Sequence, residues 1–264
     1  MKNVWAFCWG VGIVVLGGLI GLGGAEFRLP VLVSFYKLRT LQAIVINLIV
    51  SLVTVVFSFI FRAGIVNFDR IASHTPIIFD ILIGSLVGSY IGVRFATRID
   101  EHTLTRIVAI FLVALSLVLI GHDFIFHAQS LAIPSPLKFV LGAVAGLMIG
   151  VFSSMLGVAG GELIIPTIIL LFAIDIKLAG SLSLAVSIPT IMMGIVKYQR
   201  QGKVSGLPVV FIVWMSAGSI GGALIGSYLL GYVRISFLQV LLGLILLVSA
   251  VKLWRTHSKP LISN

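Results

Sequence analysis

Long apolar segments recur along the whole of this 264-residue chain and limit the folds open to it. They cover residues 4–20, 27–36, 41–61, 76–97, 104–121, 137–156, 162–174, 178–196, 206–231 and 235–253. A helix needs about 20 apolar residues to cross a bilayer, and eight of these segments are close to that length. Only 10% of the residues are charged, whereas a soluble domain has about 25%. The pattern predicts an all-α polytopic membrane protein, because a β-barrel would alternate polar and apolar residues instead.

The two short segments, 27–36 and 162–174, each begin at or beside the glutamate of a ten-residue motif that occurs twice. The first copy is GLGGAEFRLP at residues 21–30, and the second is GVAGGELIIP at residues 157–166. Glycine and proline loosen helical backbone, and a charged carboxylate in hydrocarbon costs at least about 2.5–3.5 kcal/mol. We therefore predict that each motif breaks a helix, and that each short segment is a half-helix returning from a re-entrant hairpin.

The register between the two motifs continues on both sides of them. An offset of 136 positions pairs Gly10 with Gly146, Ala43 with Ala179, Ser51 with Ser187 and Thr54 with Thr190, and an offset of 134 pairs Gly84 with Gly218 and Ser85 with Ser219. The chain is therefore interpreted as a duplication, with repeats at residues 1–121 and 137–256, a loop at 122–136 and a tail at 257–264. Because an internal copy repeats the N-terminal segment, we expect that segment to be a retained helix and not a cleaved signal.

The basic residues favour one topology for these repeats. If each motif hairpin returns to its own side, each repeat adds three full crossings and the two repeats are inverted. One side then carries Lys2, Lys37, Arg39, Arg94, Arg98, Arg106, Lys197, Arg200, Lys203, Lys252, Arg255 and Lys259. The other side keeps only Arg62, Arg70, Lys138, Lys177 and Arg234. Parallel repeats would split the charges more evenly. The positive-inside rule thus predicts inverted repeats in the inner (cell) membrane with both termini cytoplasmic. The same rule explains the net charge of +10, so we expect no nucleic-acid partner.

The motif glycines and prolines resemble those of a known transporter family. Gly21, Gly23, Gly24 and Pro30 in one half, and Gly157, Gly160, Gly161 and Pro166 in the other, are similar to the TauE/SafE family. The resemblance covers nearly the whole chain. It implies a multi-helix membrane transporter, and several members are associated with sulfite, sulfonates or related sulfur anions. Glu26, Arg28, Glu162 and Ala159 depart from the family pattern.

The motifs also predict an anion site on physical grounds alone. A half-helix presents unbonded N–H groups and a positive dipole end at its start, and two such ends near the midplane would attract an anion. The guanidinium of Arg28 adds a full charge that suits oxyanions. The predicted binding residues are Gly23, Gly24, Glu26, Arg28, Pro30, Gly160, Gly161, Glu162 and Pro166. The alternative is that the glycines only allow tight helix packing.

Two roles stay open for the motif glutamates. A carboxylate in the first turn of a helix can cap its N–H groups, or it can exchange protons during transport. Our hypothesis is that Arg28 neutralises Glu162, whereas Glu26 titrates. Asp80 is a third candidate for proton coupling, although its place one turn after Pro76 also suits the outer interface.

Small polar residues follow each motif on one helical face. They are Asn47, Ser51 and Thr54 in the first repeat, and Ser183, Ser187 and Thr190 in the second. A polar stripe should face the interior of the bundle rather than lipid. We add these residues to the substrate pathway, with helix–helix hydrogen bonding as the alternative.

These features predict a secondary transporter that moves a small anion by alternating access. An anion channel, a structural subunit and an intramembrane enzyme are the alternatives, and no nucleotide-binding or hydrolase signature supports the last. The expected partners are the bilayer, the anion and, if the acids titrate, protons. We expect no cofactor and no metal, since the single cysteine, Cys8, cannot form a cysteine cluster.

Overall fold

The computed structural model describes residues 2–20, 24–63, 71–120, 134–172, 174, 176–229, 244, 247–248 and 250–251. This part of the chain forms nine helices and contains no strand. They are α1 (Lys2–Ile20), α2 (Ala25–Ser34), α3 (Thr40–Ala63), α4 (Thr75–Ala96), α5 (Glu101–Ile120), α6 (Ser135–Leu156), α7 (Gly161–Phe172), α8 (Ile176–Arg200) and α9 (Val209–Leu229). The all-helical fold predicted from the apolar segments is confirmed.

Five of these helices contain a stretch long and apolar enough to span a bilayer. The stretches are Thr40–Arg62, Thr75–Ala96, Leu137–Leu156, Leu178–Arg200 and Val209–Gly226. Helices α2 and α7, by contrast, have only 10 and 12 residues, so they are about half as long as the roughly 30 Å hydrocarbon core. Both half-helices begin inside the two motifs, beside the glutamates, in agreement with the predicted short segments. The predicted span 235–253 and loop 122–136 lie almost entirely outside the described residues.

Helix α2 turns back toward the end of the bundle at which α1 begins. The ring of Phe35, just beyond α2, lies 5.9 Å from the ring of Trp9 in the first half of α1. Next to it, the Tyr36 ring lies 4.8 Å from the ring of Phe211 at the start of α9. Helices α1 and α2 are therefore a hairpin, and α3 begins close to where α1 does.

Helices α3 and α8 cross the centre of the bundle in opposite directions. Gly194, late in α8, lies against Leu48, early in α3, with 3.7 Å between a Cβ at the glycine and the leucine Cδ1. Gly180, early in α8, lies instead against Arg62, late in α3. These two helices occupy equivalent positions in the repeated sequence, yet they are antiparallel.

The two most extensive helix contacts join one half of the chain to the other. Helix α1 packs along α9, and α4 packs along α6. Along the second seam, Gly84 lies against Ala143 and Gly88 against Leu147, so α4 and α6 run parallel. A side chain at Gly88 would collide with the Leu147 carbonyl oxygen, which shows how closely the backbones approach. Each half thus supplies one helix to the packing of the other, as small residues allow in membranes.

The seam between α1 and α9 provides a direct stability test. A Cβ at Gly10 would lie 2.5 Å from the Met215 carbonyl oxygen, whereas a Cβ at Gly12 would meet nothing within 4 Å. We expect Gly10→Ala to lower the free energy of unfolding by about 1–3 kcal/mol, the usual cost of overpacking. Gly12→Ala should leave it unchanged or raise it, since alanine favours helix. Denaturant unfolding of both variants in detergent measures the difference, and equal stabilities would contradict the close seam.

Candidate functional site

The two half-helices begin in the same way. Gly24, immediately before α2, has φ 71°, and Gly160, immediately before α7, has φ 81°; both values favour glycine. A Cβ at Gly24 would lie 2.8 Å from the Ile13 carbonyl oxygen, and one at Gly160 would lie 3.2 Å from the Ile149 side chain. Ile13 and Ile149 are also equivalent in the repeat, 136 positions apart. Each half-helix therefore starts against the same point of the helix before it.

Both motifs contact one turn of α3. The side-chain amide of Asn47 donates a 2.8 Å hydrogen bond to the carbonyl oxygen of Ala25, at the start of α2. The backbone of Gly157, at the end of α6, lies against Ile44, with 2.5 Å between a Cβ at the glycine and the isoleucine carbonyl oxygen. Ile44 and Asn47 are three positions apart on the helix, so they are neighbours on its surface. The structure thus brings together two motifs that are 136 residues apart.

Arg28 lies on α2 with no exposed surface and reaches the polar stripe of α3. Its Nη1 donates to Asn47 Oδ1 and Ser51 Oγ, both at 3.2 Å. Its Nη2 donates to Thr54 Oγ1 at 3.4 Å. The three acceptors follow one another at spacings of four and three, which places them on one face of a helix. The stripe predicted from sequence is therefore buried and holds the motif arginine.

This arginine lies deep in the apolar region. Its three acceptors occupy the central part of the 23-residue apolar stretch Thr40–Arg62. A charge at the centre of a membrane helix costs about 2.5–3.5 kcal/mol or more, and a hydrogen bond to a charged group contributes about 1.5–3 kcal/mol. The hydrogen bonds from the stripe therefore contribute a free energy similar to the cost of placing a guanidinium here. The side chains of the stripe are neutral, so they orient the guanidinium through hydrogen bonds.

The second repeat lacks this arrangement because Ile164 occupies the position equivalent to Arg28. Ser187, the counterpart of Ser51, is buried, and its hydroxyl has no hydrogen-bond partner among the described residues. The hydroxyl of Thr190, the counterpart of Thr54, bonds to Ser85 Oγ of α4 at 2.7 Å. Ser183 is also buried and donates to the Gly180 carbonyl oxygen at 2.8 Å. The stripe of α8 is therefore interior, but it is used differently from that of α3.

Glu26 is the buried acid closest in sequence to this cluster. Neither carboxylate oxygen accepts a hydrogen bond from the described part of the chain, and no side chain caps α2. Pro30 lies four residues later and has no N–H group, so the Glu26 carbonyl cannot receive its helical hydrogen bond. Pro166 has the same relation to Glu162. Gly23 and the side chain of Glu162 lie outside the described residues, so the hypothesis that Arg28 neutralises Glu162 stays a prediction.

Asp80 lies elsewhere in the bundle. It is in the second turn of α4, where its carboxylate is directly against Gly142 of α6 and near Phe172, the last residue of α7. No described contact joins it to Arg28 or to either stripe. Among the described residues, no group of three His, Cys, Asp or Glu side chains could hold a metal ion.

Sequence reasoning missed two serines of α4 that support the α8 stripe. Ser85 bonds to the hydroxyl of Thr190, and Ser89 Oγ donates to the Thr190 carbonyl oxygen at 3.1 Å. The available signal was the repeat itself, since Ser85 pairs with Ser219, but we used that pair only as evidence for a duplication.

The profile of the family described as "Sulfite exporter TauE/SafE" matches residues 1–119 and 141–263, which is most of the chain. The chain belongs to the TauE/SafE family. A relative of this TauE/SafE protein is the "Probable membrane transporter protein YunE" of Bacillus subtilis (strain 168), which is 24% identical over 230 residues. That similarity covers 79% of this chain and 83% of the relative. No solved structure matches significantly.

The family resemblance stated from the motifs is thus confirmed, and the chain is a multi-pass membrane protein of a transporter family. The family match leaves out residues 120–140, which include the predicted connecting loop. Both motifs lie inside the matched regions.

Equivalent serines in the two stripes test how Arg28 is held. Ser51→Ala removes an acceptor of a charged donor and should lower the free energy of unfolding by about 1.5–3 kcal/mol. Ser187→Ala removes a hydroxyl without a described partner and should change it by less than about 0.5 kcal/mol. Unfolding of both variants in detergent gives the comparison. If Ser187→Ala were as destabilising as Ser51→Ala, the described hydrogen bonds would not explain the difference between the repeats.

Proposed function

We propose that this TauE/SafE protein is a secondary transporter of a small anion, and that its substrate is a sulfur oxyanion or an organosulfonate. The observation that carries the proposal is the buried guanidinium of Arg28, fixed by α3 at the centre of an apolar span. The proposed site contains Gly24, Glu26, Arg28, Asn47, Ser51 and Thr54 of the first repeat, with Gly160, Gly161, Ser183, Ser187 and Thr190 of the second.

The chemistry of this cluster suits an oxyanion. A guanidinium presents planar N–H donors that match the spacing of oxygens on a sulfite or sulfonate group. The start of α2, at Ala25, is three residues before Arg28 and adds the positive end of a helix dipole. Hydroxyl groups such as those of Ser51 and Thr54 can donate or accept, so they can rotate to serve either the arginine or the substrate.

We also propose that the two repeats are inverted in the membrane, with both termini cytoplasmic. The basic residues support the cytoplasmic side, and three structural observations support the inversion. Helix α2 returns beside the first half of α1, and the equivalent helices α3 and α8 are antiparallel. In addition, α4 runs parallel to α8, since Ser85 and Tyr90 of α4 meet Thr190 and Lys197 of α8 in the same order. Inverted repeats with broken helices allow alternating access by rocking of one part against the other.

The direction of transport depends on the acids. The cytoplasm is electrically negative, so 100 mV favours the exit of one negative charge by about 2.3 kcal/mol, a gradient of about fifty-fold. Export of a monovalent anion therefore needs no other driving force, whereas uptake needs a coupled cation. Glu26 is the residue we propose for proton coupling, because its buried carboxylate accepts no described hydrogen bond.

Replacement of Arg28 tests the anion site. Arg28→Gln removes the charge and should reduce the affinity for sulfite by about 30-fold or more, as expected when one partner of a buried charge pair is truncated. Thermal shifts of purified protein against sulfite, thiosulfate, organosulfonates and carboxylates measure binding. The matched control is Arg106→Gln, at an exposed arginine of α5.

The same variants should be assayed in vesicles for saturable counterflow, which a carrier shows and a channel does not. Equal sulfite binding by Arg28→Gln and by the unaltered protein would contradict the site. Conductance without counterflow would favour the anion channel over the transporter.

Substitution of Glu26 tests proton coupling. If Glu26 carries a proton, an acidic exterior should accelerate anion uptake into vesicles by the unaltered protein, and Glu26→Gln should abolish that response. Anion binding without a pH gradient should persist in the variant. An undiminished response would remove Glu26 from the mechanism, and loss of the response only in Asp80→Asn would assign the proton to Asp80.

A further inference from the structure

A cavity of about 460 Å³ lies between α4 and α8, at the surface of the helix bundle. Helix α8 supplies most of its wall, from Pro189 to Arg200, and α4 supplies Tyr90. The α8 residues recur at spacings of three and four, so they form one continuous face of the helix. Met192 is 50% exposed and Tyr90 is 45% exposed, so this groove is open to the surroundings of the bundle.

The groove is apolar at one end and basic at the other. Met192, Met193 and Val196 line the apolar part, and Lys197 and Arg200 stand at the far end. Lys197 Nζ lies 3.7 Å from the centroid of the Tyr90 ring, a cation–π contact that keeps the ammonium beside the groove. The chemistry of this surface matches an amphiphile with an acidic head.

The dimensions of the groove match one leaflet of a bilayer. The distance along α8 from Pro189 to Arg200 is about 16 Å, given a rise of about 1.5 Å per residue. Half of the hydrocarbon core is about 15 Å. An acyl chain along Met192 and Val196 would therefore place its headgroup at the level of Lys197 and Arg200.

The equivalent face of the other repeat serves as an internal comparison. In α3 the counterparts of Met193, Val196 and Lys197 are Phe57, Ile60 and Phe61. The Phe57 and Phe61 rings contact each other, with 6.0 Å between their centroids, and the counterpart of Tyr90 is Leu224. None of these counterparts is basic. Lys197 and Arg200 of the groove lie on the side that the charge bias predicts to be cytoplasmic. Anionic lipids are concentrated in the cytoplasmic leaflet.

We propose that this groove is a binding site for an anionic phospholipid of the cytoplasmic leaflet. The phosphodiester headgroup contacts Lys197 and Arg200, and one acyl chain lies along Met192 and Val196. Because Pro189 is adjacent to Thr190, whose hydroxyl bonds to Ser85, the lipid also contacts the outer side of the helix that carries the second polar stripe.

The test compares phosphatidylglycerol with phosphatidylcholine on purified protein in detergent, by native mass spectrometry and by thermal shift. The unaltered protein should bind phosphatidylglycerol preferentially. Lys197→Gln combined with Arg200→Gln should reduce that affinity about 30-fold, the effect expected for two basic residues near a membrane surface. The matched control is Arg98→Gln combined with Lys203→Gln, two exposed basic residues of the same side that do not line the groove.

A second variant keeps the charges and fills the groove. Met192→Trp should also weaken phosphatidylglycerol binding, so the proposal stays testable if the double variant folds poorly. Equal binding of both lipids, or phosphatidylglycerol binding that survives Met192→Trp, would overturn the proposal. Competition by glycerol phosphate as strong as that by the lipid would also overturn it, because the site would then bind a free phosphate. Sulfite binding, measured on the same samples, reports the transport site separately.

Discussion

A guanidinium in the middle of an apolar span must be surrounded by hydrogen-bond acceptors, and this requirement organises the first half of the molecule. Arg28 is on a helix too short to cross a bilayer, and the acceptors Asn47, Ser51 and Thr54 that hold it belong to α3. Asn47 also bonds to the backbone at the start of α2. The same face of α3 therefore holds both the charge and the half-helix that carries it, so the position of one depends on the other.

The repeated architecture is most informative where it is broken. The half-helices start against equivalent isoleucines. Helix α1 packs on α9 and α4 packs on α6, so each pair joins one half of the chain to the other. Ile164, however, replaces Arg28, and the hydroxyl of Thr190 turns to Ser85. A symmetric scaffold thus carries an asymmetric charge. Such a division suits the proposed transport, because two similar halves can exchange conformations around the guanidinium of Arg28. The basic groove on α8 is a second asymmetry, on the outer side of the same scaffold.

Much of the fold could be predicted because its signals are local. Apolar length predicted the spanning helices, and the glycine–proline motifs predicted where α2 and α7 begin. Helical spacing predicted that Asn47, Ser51 and Thr54 face the interior, which their burial confirms. The hydrogen bonds of Arg28 to Asn47, Ser51 and Thr54 were not predicted, because they join two separate helices. The bonds of Ser85 and Ser89 to Thr190 were missed for the same reason, because they join helices that are about 100 residues apart.

The sequence by itself determined that the chain is helical, that it carries one motif twice, and that each copy places a carboxylate and a proline beside its glycines. These properties follow from spacing and residue type within one segment. Only the tertiary structure decided that both breaks meet the same turn of α3, that the stripe of α3 binds an arginine, and that the stripe of α8 bonds to α4. The physical reason is that helix periodicity sets which face is buried, whereas the depth and rotation of neighbouring helices set which side chains touch.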